Sequence, residues 1–159
     1  MSLGEVLHVR IYGLPVAQGR PRARMFNDRS GTARVAMYDP ATSRDWKRTV
    51  QQQVIDSRPP APLAEVPLTM DLTFHLPRPQ SLPKRITEHT KRPDLDNLVK
   101  AIKDALRGVI YRDDAQIVRL TAGKVYGDSP GVEISITHVL PQRPAQTELV
   151  GPARAEANA

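Results

Sequence analysis

An eleven-residue run from Val66 to Leu76 constrains the fold more than any other stretch of this sequence. Every second residue is apolar, and the alternating positions hold Pro67, Thr69, Asp71, Thr73 and His75. Successive side chains of a β-strand point to opposite faces, so one face of this segment is wholly apolar. The run therefore predicts a strand lying against a core, with Pro67 at its start, where a proline is tolerated.

Two amphipathic helices are predicted around this strand. The first begins at Asp39-Pro40, with the aspartate as N-cap and the proline at the first helical position, and extends to about Ser57. The second has apolar residues at the spacing i, i+3, i+4, i+7 and i+11 and ends at Gly108, which is expected to adopt a left-handed conformation. Those apolar residues are Leu95, Leu98, Val99, Ile102 and Leu106.

Further strands are predicted. Apolar and polar residues alternate in 7–12 and 132–137, and two more strands are predicted at 34–38 and 117–126. Between 7–12 and 34–38, Gln18 to Arg24 contains Gly and Pro together with three arginines, and it is predicted to be an irregular loop. Pro77 to Thr90 is predicted to be a mobile basic loop.

Length and composition indicate one domain. The chain has 159 residues and no cysteine, so disulfides and thiolate metal sites are excluded. The expected boundaries are 1–140 for a folded domain and 141–159 for a disordered tail rich in Pro and Ala. Neither a secretory signal nor a membrane-spanning stretch is visible, and the expected location is the cytoplasm.

The charge balance favours a polyanionic partner. There are 23 Lys and Arg residues against 17 Asp and Glu residues. This balance fits nucleic-acid binding, and it equally fits a basic surface with no partner. The candidate phosphate contacts lie in the basic loops, and the alternative for each is a solvated arginine. They are Arg20, Arg22, Arg24, Arg85 and Arg92.

Four aspartates in this basic chain form the candidate catalytic cluster: Asp94, Asp96, Asp113 and Asp114. Asp96 also heads a polar stripe at helical spacing, continued by Lys100, Lys103 and Arg107, which flanks the apolar stripe of the same helix. Magnesium prefers one or two carboxylates together with waters and substrate phosphates. A lysine one helical turn from such a carboxylate would place positive charge near the scissile phosphate, where negative charge develops during hydrolysis.

Ordinary structural roles remain open for the same residues. Asp94 could be only a helix cap, and Asp96 could only complement the helix dipole or pair with Lys100. Asp113 and Asp114 could be a surface turn, and Asp104 is expected to be simply solvated. Spacing alone does not separate these roles from a metal site.

The wider motif resembles the RusA family of Holliday junction resolvases. The matching segments are Pro93-Asp94-Leu95-Asp96-Asn97-Leu98, then Lys100-Ala101, Asp104-Ala105-Leu106, and Asp113-Asp114-Ala115-Gln116-Ile117-Val118. The loop Gln18-Gly19-Arg20-Pro21-Arg22 is similar to that of phage and prophage members. The resemblance covers roughly residues 6 to 139 and leaves the tail outside.

The resemblance implies an α+β fold, with a mixed β-sheet packed with two main helices, that forms a homodimer. It further implies an endonuclease that cuts four-way DNA junctions in recombination and repair and uses Mg²⁺, with Mn²⁺ as a substitute. Asp94, Asp96 and Asp114 match the catalytic acidic positions, Lys100 matches the catalytic lysine, and Asp113 matches an adjacent acid. We also consider a non-catalytic junction-binding module and a metal-dependent phosphohydrolase of small nucleotides.

Overall fold

The computed structural model describes residues 4–139, which form a mixed sheet, a separate hairpin and two α-helices. The predicted tail, 141–159, lies outside the described residues. The elements are β1 (Glu5–Tyr12), β2 (Arg22–Asn27), β3 (Ala33–Tyr38), α1 (Ala41–Asp56), β4 (Leu68–Pro77), α2 (Leu95–Leu106), a 3₁₀ turn (Asp114–Gln116), β5 (Ile117–Gly127) and β6 (Gly131–His138). The predicted α+β class is confirmed.

The main sheet has the strand order β1-β6-β4-β5. β6 pairs antiparallel with both β1 and β4, whereas β4 and β5 are parallel. Parallel neighbours need a crossover connection, and here α2 provides it. The chain therefore leaves β4, passes through α2 and returns along β5, which places the polar stripe of α2 beside the edge strand.

The core lies between this sheet and the two helices. The apolar face of β4 is buried as predicted, from Leu68 to Leu76. Trp46, Val50 and Val54 are the buried apolar residues of α1, and Leu98, Ile102 and Leu106 are among those of α2. Both stripes join one apolar cluster with the sheet. Neither helix of the described chain has the length and apolar character needed to cross a bilayer.

The prediction of an irregular loop up to Arg24 is wrong for its last residues. Arg22–Asn27 is strand β2, paired antiparallel with β3. Pro21 stands just before the strand, where its missing N–H costs no ladder hydrogen bond. The partner strand lies beyond a turn, so this pairing depends on a contact that local composition does not reveal.

The predicted cap of α1 is also wrong. The N-cap residue is Pro40, and no side chain caps the helix. The carboxylate of Asp39 instead accepts hydrogen bonds from Gln18 Nε2 at 2.9 Å and Lys47 Nζ at 2.6 Å. Two side-chain donors, one of them charged, replace the helix N–H groups as its partners.

Part of the segment predicted as a mobile loop follows the outer edge of β5. The N–H of Tyr126 donates to the carbonyl of Thr87 at 2.7 Å, and the N–H of His89 donates to the carbonyl of Lys124 at 3.2 Å. The ring of His89 also lies against that of Tyr126, with centroids 4.6 Å apart. Residues 87–89 thus extend the sheet instead of forming a free loop.

Candidate active site

The polar stripe of α2 forms one wall of an open groove of about 720 Å³. Asp96, Lys100, Lys103 and Arg107 all line it, which confirms the predicted common face. Asp104 and Asp114 add two further carboxylates. Apolar side chains complete the lining: Leu95, Val99, Leu120 and Ala122. The groove therefore combines acids and bases above an apolar floor.

The floor comes from the edge strand. Leu120 pairs with Met70, and Ala122 pairs with Leu72, so these β5 side chains share the face of the buried β4 residues. Met70 is fully buried, but Leu120 is 43% exposed. The helices thus cover this face of β4 and leave part of the same face of β5 open, and the groove lies in this uncovered strip.

A tight return after α2 brings Asp114 to the groove. Gly108 has a left-handed φ of 79°, as predicted, and its N–H donates to the carbonyl of Tyr111 at 2.7 Å. The buried hydroxyl of Tyr111 donates to the carbonyl of Lys103 at 2.8 Å, and burial raises the pKa of this phenol. The N–H of Arg112 donates to the carbonyl of Leu63 at 3.1 Å. These contacts fix the direction in which the chain re-enters the sheet.

Asp114 meets two cations of the second half of α2. Its carboxylate lies 3.1 Å from Lys103 Nζ and 2.6 Å from Arg107 Nη2. The hydrogen bond from Lys103, and then the positive charges of Lys103 and Arg107, hold the pKa of Asp114 below its usual value of 3.8. The Asp114 charge in turn raises the pKa of Arg107. Asp114 is therefore an anion at neutral pH.

Asp113 belongs to the turn that carries Asp114. One of its carboxylate oxygens accepts from the N–H of Ala115 at 2.9 Å, while Gln116 Oε1 accepts from the N–H of Asp113 at 3.1 Å. This reciprocal arrangement is a capping box. Gln116 Nε2 also donates to the carbonyl of Val66 at 3.2 Å. Asp113 and Gln116 together hold the turn against the start of β4.

Asp94 is the N-cap residue of α2, which is the position that its open structural alternative gave it, but its side chain makes no capping hydrogen bond. It is exposed and lies outside the side chains that line the groove. The backbone before it is held by β5, because Lys124 Nζ donates to the carbonyls of Lys91 at 2.6 Å and Pro93 at 2.7 Å. The half-buried Lys124 thus fixes the backbone where the chain enters α2.

The predicted acids do not form a closed cage. Within residues 4–139, no three His, Cys, Asp or Glu side chains lie close enough together to hold a metal ion. Two of the predicted ligands, Asp96 and Asp114, do face one groove together with Asp104. These three acids offer oxygen donors, and two carboxylates suffice for Mg²⁺ when waters and phosphates complete the shell. The donor set of the groove therefore fits magnesium by its chemistry.

A neighbouring ion-pair network was missed by the sequence analysis. Lys47 Nζ lies 2.6 Å from Asp39 and 3.8 Å from Asp104, so Asp104 is not simply solvated. The N–H of Gln18 donates to the carbonyl of Asn97 at 2.8 Å. Hydrogen bonds from Lys47 and Gln18, with a smaller contribution from the charge of Lys100, lower the pKa of Asp39. Lys47 lies in α1 and Asp104 in α2, so no local spacing in the sequence predicts this contact.

The five arginines predicted to contact DNA lie outside the groove. All are exposed: Arg20, Arg22, Arg24, Arg85 and Arg92. The first three belong to β2 and the residues before it, and the last two belong to the segment between β4 and α2. Two basic segments therefore approach α2 from different parts of the chain.

Comparison with known proteins links this geometry to a nuclease family. The family model "Endodeoxyribonuclease RusA" matches residues 13–137, a span that contains every predicted site residue. A protein of Bacillus subtilis strain 168, described as uncharacterized protein YqaN, is 38% identical over 139 residues, covering 81% of this chain and 94% of that protein.

A phage protein is also similar. The crossover junction endodeoxyribonuclease rusA of Lactococcus phage r1t is 43% identical over 76 residues. The matched region covers 46% of this chain and 56% of the phage protein.

Proposed function

The chain belongs to the RusA family of endodeoxyribonucleases, and we propose that it cuts four-way (Holliday) DNA junctions in a magnesium-dependent reaction. One observation carries the proposal. Asp96 and Lys100 come from α2 and Asp114 from the turn before β5, yet all three line a single open groove. A groove with carboxylates and cations on one wall suits hydrolysis of a phosphodiester, whose transition state accumulates negative charge.

Each acid has a proposed role. Asp96 and Asp114, the two predicted ligands that line the groove, would hold Mg²⁺ or Mn²⁺, and Asp94 at the N-cap of α2 and Asp113 in the adjacent turn would be the further carboxylates. The bound ion would supply an activated water and neutralise charge on the phosphate oxygens. Lys103 and Arg107 keep Asp114 ionised through their contacts of 3.1 and 2.6 Å. Lys100 is exposed on the same wall and would stabilise the charge that develops on the phosphate.

Arginines outside the groove would bind the substrate without taking part in the chemistry. Exposed guanidinium groups contact phosphates through paired N–H donors and fix the register of DNA on a protein. Arg20, Arg22, Arg24, Arg85 and Arg92 are all exposed and would make these phosphate contacts.

We further propose that the active enzyme is a homodimer. A four-way junction has two equivalent strands to cut, and a two-fold symmetric dimer presents two equivalent grooves to them. The process served would be recombination and repair. Analytical ultracentrifugation of the full chain, with and without junction DNA, tests the dimer independently of cleavage.

The deciding experiment is cleavage of a synthetic four-way junction, with and without Mg²⁺, for the wild type and Asp96→Asn. The wild type should cut only with the metal. The variant should not cut, while binding the junction as tightly as the wild type or more tightly, because a negative charge near phosphate has been removed. Wild-type cleavage by Asp96→Asn would contradict the assignment of Asp96.

The same assay separates two other functions. Junction binding without cutting under any metal would indicate a non-catalytic binding module. Hydrolysis of mononucleotides without junction cleavage would indicate a small-nucleotide phosphohydrolase. We favour neither, since four aspartates would weaken a pure DNA binder by repelling phosphate.

A further inference from the structure

β2 and β3 form a hairpin that stands apart from the core. They constitute a two-stranded sheet of their own, and every residue of both strands is exposed. Six residues at about 3.4 Å each make an arm roughly 20 Å long. The hairpin, residues 22–38, carries four arginines against one aspartate. It is therefore an exposed, positively charged projection.

The strand register gives this arm two different faces. Residues directly opposite each other in an antiparallel pair share a face. One face, here called the basic-aromatic face, consists of Arg22, Arg24, Phe26, Arg34, Ala36 and Tyr38. The opposite face has no charged residue and consists of Ala23, Met25, Asn27, Ala33, Val35 and Met37. Charge and aromatic rings are thus confined to one side.

Both ends of the hairpin are attached at the rim of the groove. Before β2, the N–H of Gln18 donates to the carbonyl of Asn97 in the first turn of α2. After β3, Asp39 is bound by Lys47, which also lies 3.8 Å from the groove residue Asp104. The side chain of Gln18 joins the two ends by donating to Asp39 at 2.9 Å. The arm therefore projects from beside Asp96 and Lys100.

The tip of the arm is ordered by one carboxylate. Asp28 Oδ1 accepts from the N–H groups of Ser30 at 2.9 Å and Thr32 at 3.0 Å. Its other oxygen accepts from Arg34 Nε at 2.6 Å. Hydrogen bonds from Ser30, Arg34 and Thr32 lower the pKa of Asp28 to about 2. Asp28 thus joins the backbone of the turn to the Arg34 side chain.

We infer that the basic-aromatic face binds unstacked nucleotides at the branch point of junction DNA. Phe26 and Tyr38 stack on bases, and Arg22, Arg24 and Arg34 contact the flanking phosphates. This inference rests on the proposed function and names the part of the junction that the enzyme recognises. It assigns to the arm a selectivity for branched over continuous DNA.

Charge and geometry favour this partner. A polyanion complements the arginines, and exposed rings between them provide stacking surfaces that any base fits. Phe26 and Tyr38 are 44% and 41% exposed. They lie four residues apart along the sheet, about 13 Å, so each ring would take a different base. In a continuous duplex every base pair is stacked on both sides, whereas the base pairs that border an open branch point have one unstacked face on which a ring can stack.

The test uses the full chain in EDTA, so that binding is measured without cleavage. The main variant is Phe26→Leu with Tyr38→Leu, which keeps apolar bulk on the strands and removes the rings. The matched control is Met25→Leu with Met37→Leu on the opposite face. A rescue variant is Phe26→Trp with Tyr38→Trp. Probes are a four-way junction carrying 2-aminopurine at the branch point and a duplex of equal length.

Loss of both rings should weaken junction binding at least about tenfold, because each base that stacks on an aromatic ring contributes about 1–3 kcal/mol to binding. Duplex binding should change less than threefold. The 2-aminopurine signal should respond to wild type and to the Trp variant, but not to the Leu variant. The inference is overturned if the Leu variant binds the junction like wild type, or if the control weakens binding equally.

The nuclease proposal and the inference about the arm fail in distinguishable ways. A wild type that binds the junction through these rings but cuts no DNA with Mg²⁺ would contradict the nuclease proposal and leave the arm's role intact. A wild type that cuts junctions, with ring-loss variants that bind and cut normally, would contradict only the inference about the arm.

Discussion

The ammonium group of Lys103 lies 3.1 Å from the carboxylate of Asp114, although a helix end and a turn separate the two residues in the chain. This ion pair joins the turn before β5 to the second half of α2. Arg107 supports it from one turn further on, at 2.6 Å. The acid that the motif places far from Asp96 thus reaches the groove through contacts with two cations of the same helix.

Removing the Lys103 charge should raise the pKa of Asp114 toward 3.8, because the hydrogen bond from Lys103 is the main cause of its lowered value. A carboxyl ¹³C titration of Lys103→Met measures this directly. Lys91→Met, at an exposed position, is the charge-matched control and should leave the Asp114 titration unchanged. An unshifted pKa in Lys103→Met would contradict the structural pairing.

The same lowered pKa predicts how acid affects stability. A carboxyl group whose pKa is lower in the folded state stabilises the fold fully above its unfolded pKa. For Asp114 this contribution is present above about pH 4 and is lost as the pH falls through the lowered folded value. The free energies of unfolding in urea of wild type and Asp114→Asn should therefore differ at pH 6, and the difference should shrink as the pH is lowered below about 4. A constant difference across this range would exclude the ion pair as its source.

Lys124→Met should loosen the entry to α2. The lysine donates to the carbonyls of Lys91 and Pro93, and hydrogen bonds to a charged group contribute about 1.5–3 kcal/mol. We expect a stability loss of about 2 kcal/mol in urea and slower junction cleavage, with junction affinity retained. Lys124→Arg should recover part of the stability and part of the cleavage rate. Cleavage at the wild-type rate would show that Asp94 does not depend on this contact.

Lys100→Met should slow cleavage about a hundredfold or more at saturating junction, the usual effect of removing one group that stabilises developing charge. Single-turnover kinetics on the four-way junction measures this step. Lys84→Met, in the exposed segment between β4 and α2, controls for the loss of one positive charge. A change confined to the dissociation constant would assign Lys100 to binding instead of chemistry.

Arg24→Gln should weaken binding and lower its dependence on salt. Each phosphate contact adds about 0.9 to the slope of log K against log salt concentration. The variant should therefore lose about one unit of slope between 50 and 200 mM salt. Fluorescence anisotropy over that range measures it. An unchanged slope would indicate that Arg24 is a solvated side chain.

The periodic parts of the fold follow from the sequence. The burial of β4, the apolar stripes of both helices and the left-handed Gly108 were all predicted, since each depends on side-chain period or on local backbone preference. β2 and the true role of Asp39 were not predicted. Both depend on partners distant in the chain, Ala33–Tyr38 for the strand and Gln18 and Lys47 for the carboxylate.

For the candidate site, the sequence by itself determined one wall. Helical spacing alone places Asp96, Lys100, Lys103 and Arg107 on a common face, because 3.6 residues complete a turn in any α-helix. Tertiary structure decided what faces that wall. The parallel return of β5 supplied the apolar floor and carried Asp114 to Lys103, and the hairpin ends were joined at the rim by Gln18 and Asp39. These contacts depend on strand pairing and on the path of the connecting segments, and the helical or strand period of a single segment does not encode them.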